Sequence, residues 1–442
     1  MTSKTRSGQT WRATKILATL GSASESEEQI TQLIKAGVNI VRMNFSHGTH
    51  NEHLKRIEML RAIEKKLSKP IGILADMQGP KYRIGRVVDG LSLVEGSLIQ
   101  FDQSKEIGNE KRLPLPHPEI FKALYPGARL LMDDGKLSLV VKTLADTAFT
   151  AEVRTGGPVL SRKGVNVPDV KLNTDVLTSK DLKDLEFALD KGADWIALSF
   201  VQSVSDVLAA KAKIAGRAQL MAKIEKPAAL AEIQDIINAA DAIMIARGDL
   251  GVELDAAEVP SVQKRLIYQC RRVGKPVVVA TQMLESMIYS STPTRAETTD
   301  VAGAVFDGAD AVMLSAETAI GDYPVEAVKT MVSILTSAEM HIKEFPFDGP
   351  AQLDVEPSIY HAVAKAAVAL AHTIEAKAII AYSASGNTAV RIARERPAIR
   401  LFISTPELAV QRRLSVLFGA TTLRQAETDY EEALSITKET LK

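Results

Sequence analysis

Short runs of apolar residues alternate with amphipathic segments along most of the chain. The segments between the runs, such as SEEQITQLIKAG (26–37), place apolar residues at helical spacing. The runs themselves lack polar alternation, which is typical of parallel strands covered on both faces. They are KILATLG (15–21), VNIVRMNF (38–45), IGILADM (71–77), DWIALSFV (194–201), LMAKIE (220–225), AIMIAR (242–247), PVVVATQM (276–283) and AVMLSAE (311–317). Eight strands alternating with helices predict an eight-fold β/α barrel, with an open doubly wound sheet as the alternative.

The spacing of the predicted strands breaks once, between the third and the fourth. The intervening stretch is too long for one crossover helix. It alternates apolar and polar residues in RLLMDDGKLSLVV (129–141) and AFTAEVRTG (148–156), which indicates antiparallel strands. We therefore expect a small inserted β-barrel domain, placed as a lid where the third strand reaches the barrel mouth.

A second change of pattern comes late in the chain. FPFDGPAQLDVEPS (345–358) is polar and contains proline, which predicts a linker. Beyond it, helices alternate with AKAIIAYS, IRLFIST and TTLRQ, a pattern that favours a parallel α/β domain. The predicted domains are a barrel over 1–80 and 167–345, the lid over 81–166 and an α/β domain over 346–442.

Composition and charge narrow the class of protein. The 54 lysines and arginines balance 54 acidic residues, so electrostatic binding of nucleic acid is disfavoured. Cys270 is the single cysteine, which excludes an internal disulfide framework. No apolar run reaches the roughly 18 residues that span a bilayer, and the N-terminus lacks the apolar region of a secretory signal. We expect a cytoplasmic protein with no membrane partner.

Polar side chains cluster where the eight runs end, and active sites of β/α barrels lie at those ends. Glu225 and Asp249 have no nearby histidine or cysteine, so they suit a hard cation such as magnesium or manganese. Arg42 and Lys223 suit a phosphoryl group. Gly248 lies in a turn whose backbone N–H groups could hold an anion. The full cluster is Arg42, Asn44, Ser46, His47, Asp76, Ser199, Phe200, Lys223, Glu225, Arg247, Gly248, Asp249, Thr281, Gln282, Ser315 and Glu317.

Other chemistry-bearing residues have simpler interpretations. His47, His50 and His53 are spaced three apart, but they cover nearly two helical turns and do not suit one shared zinc ion. Cys270 lies in a helical pattern and is expected to pack in the core. The SASGNT turn (383–388) is either an anion cradle or a plain capped helix start.

Taken in order, these motifs resemble the pyruvate kinase family over nearly the whole chain. The stretches are TKILATLG, IVRMNFSHG, MAKIEKPAAL, IMIARGDLGVE, VVVATQMLESM and TRAETTDVAGAVFDGADAVMLSAETAIGDYP. The resemblance implies the same barrel, lid and C-terminal α/β domain. It also implies a glycolytic phosphotransferase that moves the phosphoryl group of phosphoenolpyruvate to ADP, giving pyruvate and ATP. The family is usually tetrameric, so a homotetramer is expected.

The resemblance also implies roles for individual residues. Lys223 would stabilise the phosphoryl group in flight, Arg42 would clamp its oxygens, and Thr281 would lie near the enolate carbon that is protonated. Glu225 and Asp249 would hold the magnesium ion. The implied substrate-binding residues are Arg42, Ser199, Phe200, Lys223, Arg247, Gly248, Asp249 and Thr281. The implied nucleotide-binding residues are Thr19, His47, Arg83 and Lys163, and the implied monovalent-cation ligands are Asn44, Ser46, Asp76 and Met77.

Two departures from the family pattern lead to separate expectations. Lys81 stands where the family's D-T-K-G-P-E turn has glutamate. Its ammonium group would supply the charge that potassium otherwise brings, so we predict potassium independence. The chain also ends one helix beyond TTLRQ, where the family continues through two more strands, so no sugar-phosphate effector is expected.

Two other functions fit part of the pattern. A barrel enzyme that makes or breaks C–C bonds with magnesium-enolpyruvate chemistry would share Glu225 and Asp249, but it would not need Arg83 and Lys163 on a lid. A catalytically idle homologue would require a lost catalytic residue. No such loss is present, because Arg42, Lys223, Glu225, Asp249 and Thr281 all remain.

Overall fold

Eight parallel strands close into a barrel in the computed structural model, which describes residues 11–342, 358–424 and 430–441. The closed sheet confirms the predicted barrel and excludes the open sheet. Serine and threonine hydroxyls cap the first two helices, because Ser26 accepts from the N–H of Gln29 and Thr49 from that of Glu52. The first elements are β1 (Lys15–Thr19), α1 (Glu27–Ala36), β2 (Ile40–Asn44), α2 (His50–Leu67) and β3 (Gly72–Asp76).

The inserted lid follows β3 and has its own apolar core, in which the rings of Phe101 and Phe149 stack 4.8 Å apart. Its elements are β4 (Ser92–Leu93), β5 (Leu98–Asp102), β6 (Arg112–Pro114), α3 (Pro118–Ala123), β7 (Arg129–Met132), β8 (Leu137–Ala145), β9 (Ala148–Thr155), β10 (Gly157–Pro158) and β11 (Val165–Asn166). Six strands pair in the order β11-β7-β8-β9-β5-β6, and β4 pairs with β10. The pairing is antiparallel as predicted, except that β5 and β6 are parallel.

The chain then returns to the barrel. The remaining barrel elements are α4 (Ser179–Asp190), β12 (Trp195–Leu198), α5 (Val204–Ile214), β13 (Gln219–Ile224), α6 (Pro227–Ala231), α7 (Ile233–Ala239), β14 (Ala242–Ala246), α8 (Arg247–Glu253), α9 (Val259–Val273), β15 (Val277–Ala280), α10 (Arg295–Asp307), β16 (Ala311–Leu314), α11 (Ala316–Ala319) and α12 (Pro324–His341). β1 pairs with both β2 and β16, which closes the barrel. The carboxyl ends of all eight strands therefore surround one mouth.

A smaller α/β unit follows. It consists of α13 (Ile359–Thr373), β17 (Ala378–Tyr382), α14 (Asn387–Arg394), β18 (Arg400–Thr405), α15 (Leu408–Arg413), β19 (Ala420–Arg424) and α16 (Tyr430–Leu441), with β17, β18 and β19 parallel. The helix predicted over 406–418 is shorter, because α15 ends at Arg413 and a 3-10 turn follows. The predicted linker lies outside the described residues except at Ser358. None of the described helices combines the length and the hydropathy that a membrane span requires.

The α/β unit packs against the base of the barrel, opposite the mouth. The guanidinium of Arg412 pairs with Glu64 at the end of α2, and Nη2 of Arg396 lies 2.9 Å from an oxygen of Asp310. The indole N–H of Trp195 donates to the carbonyl of Arg413 at 3.2 Å. These contacts leave the mouth to the lid and the loops that follow the strands.

Candidate active site

One buried carboxylate holds two cations at the barrel mouth. The Nε of Arg42 donates to Asp76 at 2.7 Å. The Nζ of Lys223 lies 3.3 Å from the other oxygen of Asp76 and 2.9 Å from Glu225. These contacts link β2, β3 and β13, as expected for strands that end at the same mouth. They fix Arg42 and Lys223 side by side.

The charges in this cluster stabilise one another. Burial alone lowers the pKa of Lys223, but Asp76 and Glu225 outweigh it and raise that pKa above its usual value. Burial likewise raises the pKa of Asp76, but Lys223 and Arg42 bring it below its usual value. Both groups therefore remain charged at neutral pH.

Ser199 and Phe200 join this cluster through hydrogen bonds. The hydroxyl of Ser199 accepts from Lys223 Nζ at 2.8 Å and donates to the carbonyl of Met77 at 2.7 Å. The N–H of Phe200 donates to Glu225 at 2.8 Å, although Phe200 has a φ of 56° that aromatic residues rarely adopt. A Cβ on Gly79 would lie 2.7 Å from the Phe200 ring, so this close approach requires glycine.

A strained turn after β15 meets the start of α8. Thr281 and Gln282 have φ values of 69° and 54°, both in the left-handed region. The N–H of Gly248 donates to the Thr281 hydroxyl at 2.7 Å. Arg247 donates to the carbonyl of Thr281 at 2.8 Å and pairs with Asp300 at 2.6 Å. The structure thus places Arg247 as a support for this turn and Thr281 at its surface.

Glu225 and Asp249 form an acidic pair at the mouth. Although Asp249 is reachable from the mouth, desolvation by the surrounding walls and the charge of Glu225 raise its pKa to about 6. Lys223 and Lys81 partly offset this effect. Two carboxylates that repel each other are a donor set that suits a hard divalent cation. Among the described residues no group of three or more histidine, cysteine or acidic side chains forms a metal site, so such a cation would need further ligands from substrate or water.

The predicted nucleotide-binding residues fall into separate places. Thr19 is buried and donates its hydroxyl to the carbonyl of Leu314, while it accepts from Arg42 at 3.1 Å. His47 is exposed in the loop between β2 and α2. Arg83 pairs with Gly164 in the lid backbone, which brings it beside Lys163. The structure therefore groups Arg83 with Lys163 in the lid, and Thr19 with Arg42 in the barrel.

Three of the four predicted monovalent-cation ligands already have protein partners. The side-chain oxygen of Asn44 accepts from the N–H of Ser46 at 3.0 Å. The carbonyl of Met77 accepts from Ser199, and Asp76 pairs with Arg42 and Lys223. Lys81 is exposed beside the mouth, where its charge acts on Asp249.

Comparison with known protein families shows the family to which the chain belongs. The family model described as pyruvate kinase, barrel domain, matches residues 11–328, and the one described as pyruvate kinase, alpha/beta domain, matches residues 361–442. The chain belongs to the pyruvate kinase family. This confirms the resemblance seen in the motifs and removes the carbon–carbon bond enzyme as an alternative.

Individual pyruvate kinases cover most of the chain. One from Agrobacterium vitis is 47% identical over 424 residues, which are 96% of this chain and 88% of that protein. One from Geobacillus stearothermophilus is 42% identical over 418 residues, 93% of this chain and 71% of that protein. The crystal structure of a pyruvate kinase from Cryptosporidium parvum matches with a TM-score of 0.92 at 33% identity, covering 98% of this chain and 92% of that one.

Sequence reasoning missed one buried ion pair of this pyruvate kinase site. Glu253, at the end of α8, is 1% exposed and pairs with Lys226. It also accepts from the side-chain amide of Asn166, the last residue of β11, at 2.6 Å. Both charged residues lie in the quoted motifs, MAKIEKPAAL and IMIARGDLGVE, so the signal was present. Their pairing was not predicted, because it joins segments that follow two different barrel strands, and the contact of Glu253 with Asn166 joins the barrel to the lid.

The three spaced histidines do not gather around a metal. His50 pairs with Asp184 at 2.7 Å, and His53 contacts the carbonyl of His47 at 3.0 Å. Cys270 is fully buried in α9, as expected of a packing residue, and burial raises the pKa of its thiol.

Proposed function

We propose that this chain transfers the phosphoryl group of phosphoenolpyruvate to ADP at the barrel mouth, giving pyruvate and ATP. The observation that carries the proposal is the cluster in which Asp76 holds Arg42 and Lys223 beside the acidic pair Glu225 and Asp249. Phosphoryl transfer depends on positioning and on spreading negative charge, and this cluster offers fixed cations for that purpose. The wider pyruvate kinase family carries out the same reaction.

Each cationic side chain has a distinct task in this proposal. Lys223 stabilises the phosphoryl group as it leaves the enolate oxygen, and Arg42 holds the phosphoryl oxygens from the neighbouring strand. Asp76 keeps both side chains in place, since it contacts each of them. Because Asp76 and Lys223 are buried and the side chain of Arg42 is only 13% exposed, their hydrogen bonds are oriented before the substrate arrives.

Glu225 and Asp249 would hold the magnesium or manganese ion. When bound, such an ion neutralises the carboxylate and the developing enolate of the substrate. The backbone around Gly248 would hold the substrate carboxylate, while Ser199 and Phe200 keep Lys223 and Glu225 oriented. In this proposal Thr281 lies at the enolate carbon, and its hydroxyl accepts a hydrogen bond from the N–H of Gly248.

The nucleotide would bind between the lid and the barrel. Lys163 lies 2.6 Å from Asp133 in the lid, and a phosphate oxygen would replace that carboxylate as its partner. Arg83 lies next to it and would contact the same phosphates. His47 and Thr19 are proposed as the contacts on the barrel side.

The monovalent-cation requirement and the assembly are further parts of the proposal. We infer that Lys81 makes potassium unnecessary, because its charge reaches Asp249 and three of the four expected ligands already have protein partners. We also propose a homotetramer in the cytoplasm, and the domain division 1–80 with 167–345, 81–166 and 346–442.

The test is release of pyruvate from phosphoenolpyruvate and ADP with magnesium, in buffer free of potassium and sodium and then with potassium added. We expect full turnover without potassium, and a potassium requirement in Lys81→Glu. Lys223→Met should lose about 10²–10³-fold in kcat and still bind phosphoenolpyruvate. Lys183→Met, an exposed change on α4, is the matched control. No turnover in either buffer would refute the assignment, and turnover only with potassium would refute the role of Lys81 alone.

A further inference from the structure

The loop between β2 and α2 carries His47, and side chains from two helices hold its backbone. The carbonyl of Phe45 accepts a hydrogen bond from Lys180 Nζ at 2.7 Å. The carbonyl of His47 is bonded to Nε2 of His53 at 3.0 Å. These two carbonyls flank Ser46, so the loop is fixed on both sides of that residue. Neither Lys180 nor His53 has a place in the catalytic cluster described above.

The surroundings of His53 favour a neutral imidazole that donates a hydrogen bond. Its side chain is 2% exposed, and its ring stacks on Phe45 with centroids 4.2 Å apart. A carbonyl can only accept, so the ring proton must lie on Nε2. Burial lowers the pKa of His53, and Nδ1 has no partner among the described residues. The imidazole therefore keeps one tautomer, directed at the loop.

Lys180 holds the loop between β2 and α2 at the carbonyl of Phe45, on the side of Ser46 opposite to His53. It lies in the first turn of α4, and its side chain is 52% exposed. Its ammonium group also lies 2.5 Å from Asp184, a buried carboxylate that pairs with His50 on α2 at 2.7 Å. This chain of contacts joins α4 to α2 below the loop. The position of the Phe45 carbonyl is thus set by both helices.

The same turn of α4 also holds the loop after β3. The carboxylate of Asp181 accepts from the N–H of Gly79 at 3.2 Å, and its other oxygen accepts from the N–H of Thr178 at 2.9 Å. Gly79 precedes Pro80 and Lys81, where the chain leaves the barrel for the lid. One helical turn therefore supports both loops that border this side of the mouth.

We propose that Lys180 and His53 are positioning residues for the nucleoside diphosphate. They hold the carbonyls on either side of Ser46, so that His47 is presented to the nucleotide phosphates in one geometry. A loop already in its binding conformation avoids the ordering cost that a free loop would incur on association. The inference rests on the proposed function, since it assumes that ADP contacts His47.

The test compares kinetic constants of four single variants. Lys180→Met should raise the KM for ADP about tenfold, whereas the KM for phosphoenolpyruvate and kcat should change less than about twofold. His53→Leu should behave in the same way, whereas His53→Gln should keep most of the ADP affinity, because its amide can donate to the carbonyl of His47. Lys183→Met is the control on the same helix. Titration calorimetry with ADP and magnesium measures nucleotide affinity independently of turnover.

A double variant separates positioning from general support of the fold. In a His47→Ala background, Lys180→Met should cause no further loss of ADP affinity, because the residue it positions is already absent. Unchanged ADP affinity in Lys180→Met and His53→Leu would overturn the proposal, and so would equal losses for ADP and phosphoenolpyruvate. Failure of the proposed function would show instead as absent turnover in the unmodified chain, and the calorimetric comparison would still decide the role of these two residues.

Discussion

Lys15 is a buried lysine at the base of the barrel, and its ionisation should control stability. It is 5% exposed, and its Nζ donates to the carbonyl of Ala420 at 2.7 Å. Burial and the like charge of Arg12 lower the pKa of Lys15 to about 7, with Lys69 adding to the effect and Glu339 and Asp310 opposing it. The perturbation that isolates this group is Lys15→Met, which keeps the apolar stem and removes the charge.

The sign and size of the expected stability change follow from the difference in the pKa of Lys15 between the folded and the unfolded chain. The unfolded lysine titrates near 10.5 and the folded one near 7. Between these values the unfolded state binds the extra proton, so the free energy of unfolding rises by about 1.4 kcal/mol per pH unit. Below pH 7 the buried charge lowers the free energy of unfolding by roughly 5 kcal/mol. Lys15→Met removes that cost but leaves the Ala420 carbonyl without a donor, a loss of about 1–3 kcal/mol.

The assay is urea unfolding of both proteins from pH 6.5 to 9.5. At pH 7 we expect Lys15→Met to be the more stable by about 2–4 kcal/mol. Its advantage should shrink as the pH rises and reverse between about pH 8.5 and 10, where the remaining cost of the buried charge falls below the loss at the Ala420 carbonyl. Lys183→Met, which changes an exposed lysine, should follow the wild-type profile. A difference between Lys15→Met and wild type that does not vary between pH 7 and 9.5 would refute the reasoning.

Two further substitutions test other features of the structure. Arg271 is 5% exposed, and its Nε and Nη2 have no hydrogen-bond partner among the described residues. Burial and the charge of Arg396 lower its pKa to about 9. We expect Arg271→Met to raise the free energy of unfolding by about 1–2 kcal/mol in urea titrations; a less stable variant would contradict this. A Cβ on Gly248 would lie 3.2 Å from the Thr281 hydroxyl and would disturb the hydrogen bond between these two residues. Gly248→Ala should therefore lower kcat about tenfold in the pyruvate assay, with little change in the unfolding midpoint. An unchanged kcat would refute the role of this contact.

The local pattern of apolar and polar residues was enough to predict most of the barrel. Seven of the eight barrel strands lie within the apolar runs and β13 begins one residue before its run, because a strand buried on both faces must be largely apolar. The ends of those runs contain Arg42 and Lys223, and Asp249 follows just after one of them, since parallel strands end at one mouth. The parallel pairing of β5 with β6 was not predicted, because alternation of polarity shows which residues are buried and does not show the direction of the partner strand.

The order of the elements, the family and the residue types at the mouth can all be read from the linear sequence. Which of those residues meet is apparent only in the folded chain. Asp76 joins Arg42 and Lys223, Glu253 joins the lid to the barrel, and Lys180 reaches a carbonyl 135 positions away along the chain. Such contacts depend on how helices and strands pack in three dimensions, and no local periodicity specifies a partner at that distance. The same reason explains why Lys15, part of the first apolar run, has its hydrogen-bond partner 405 positions later.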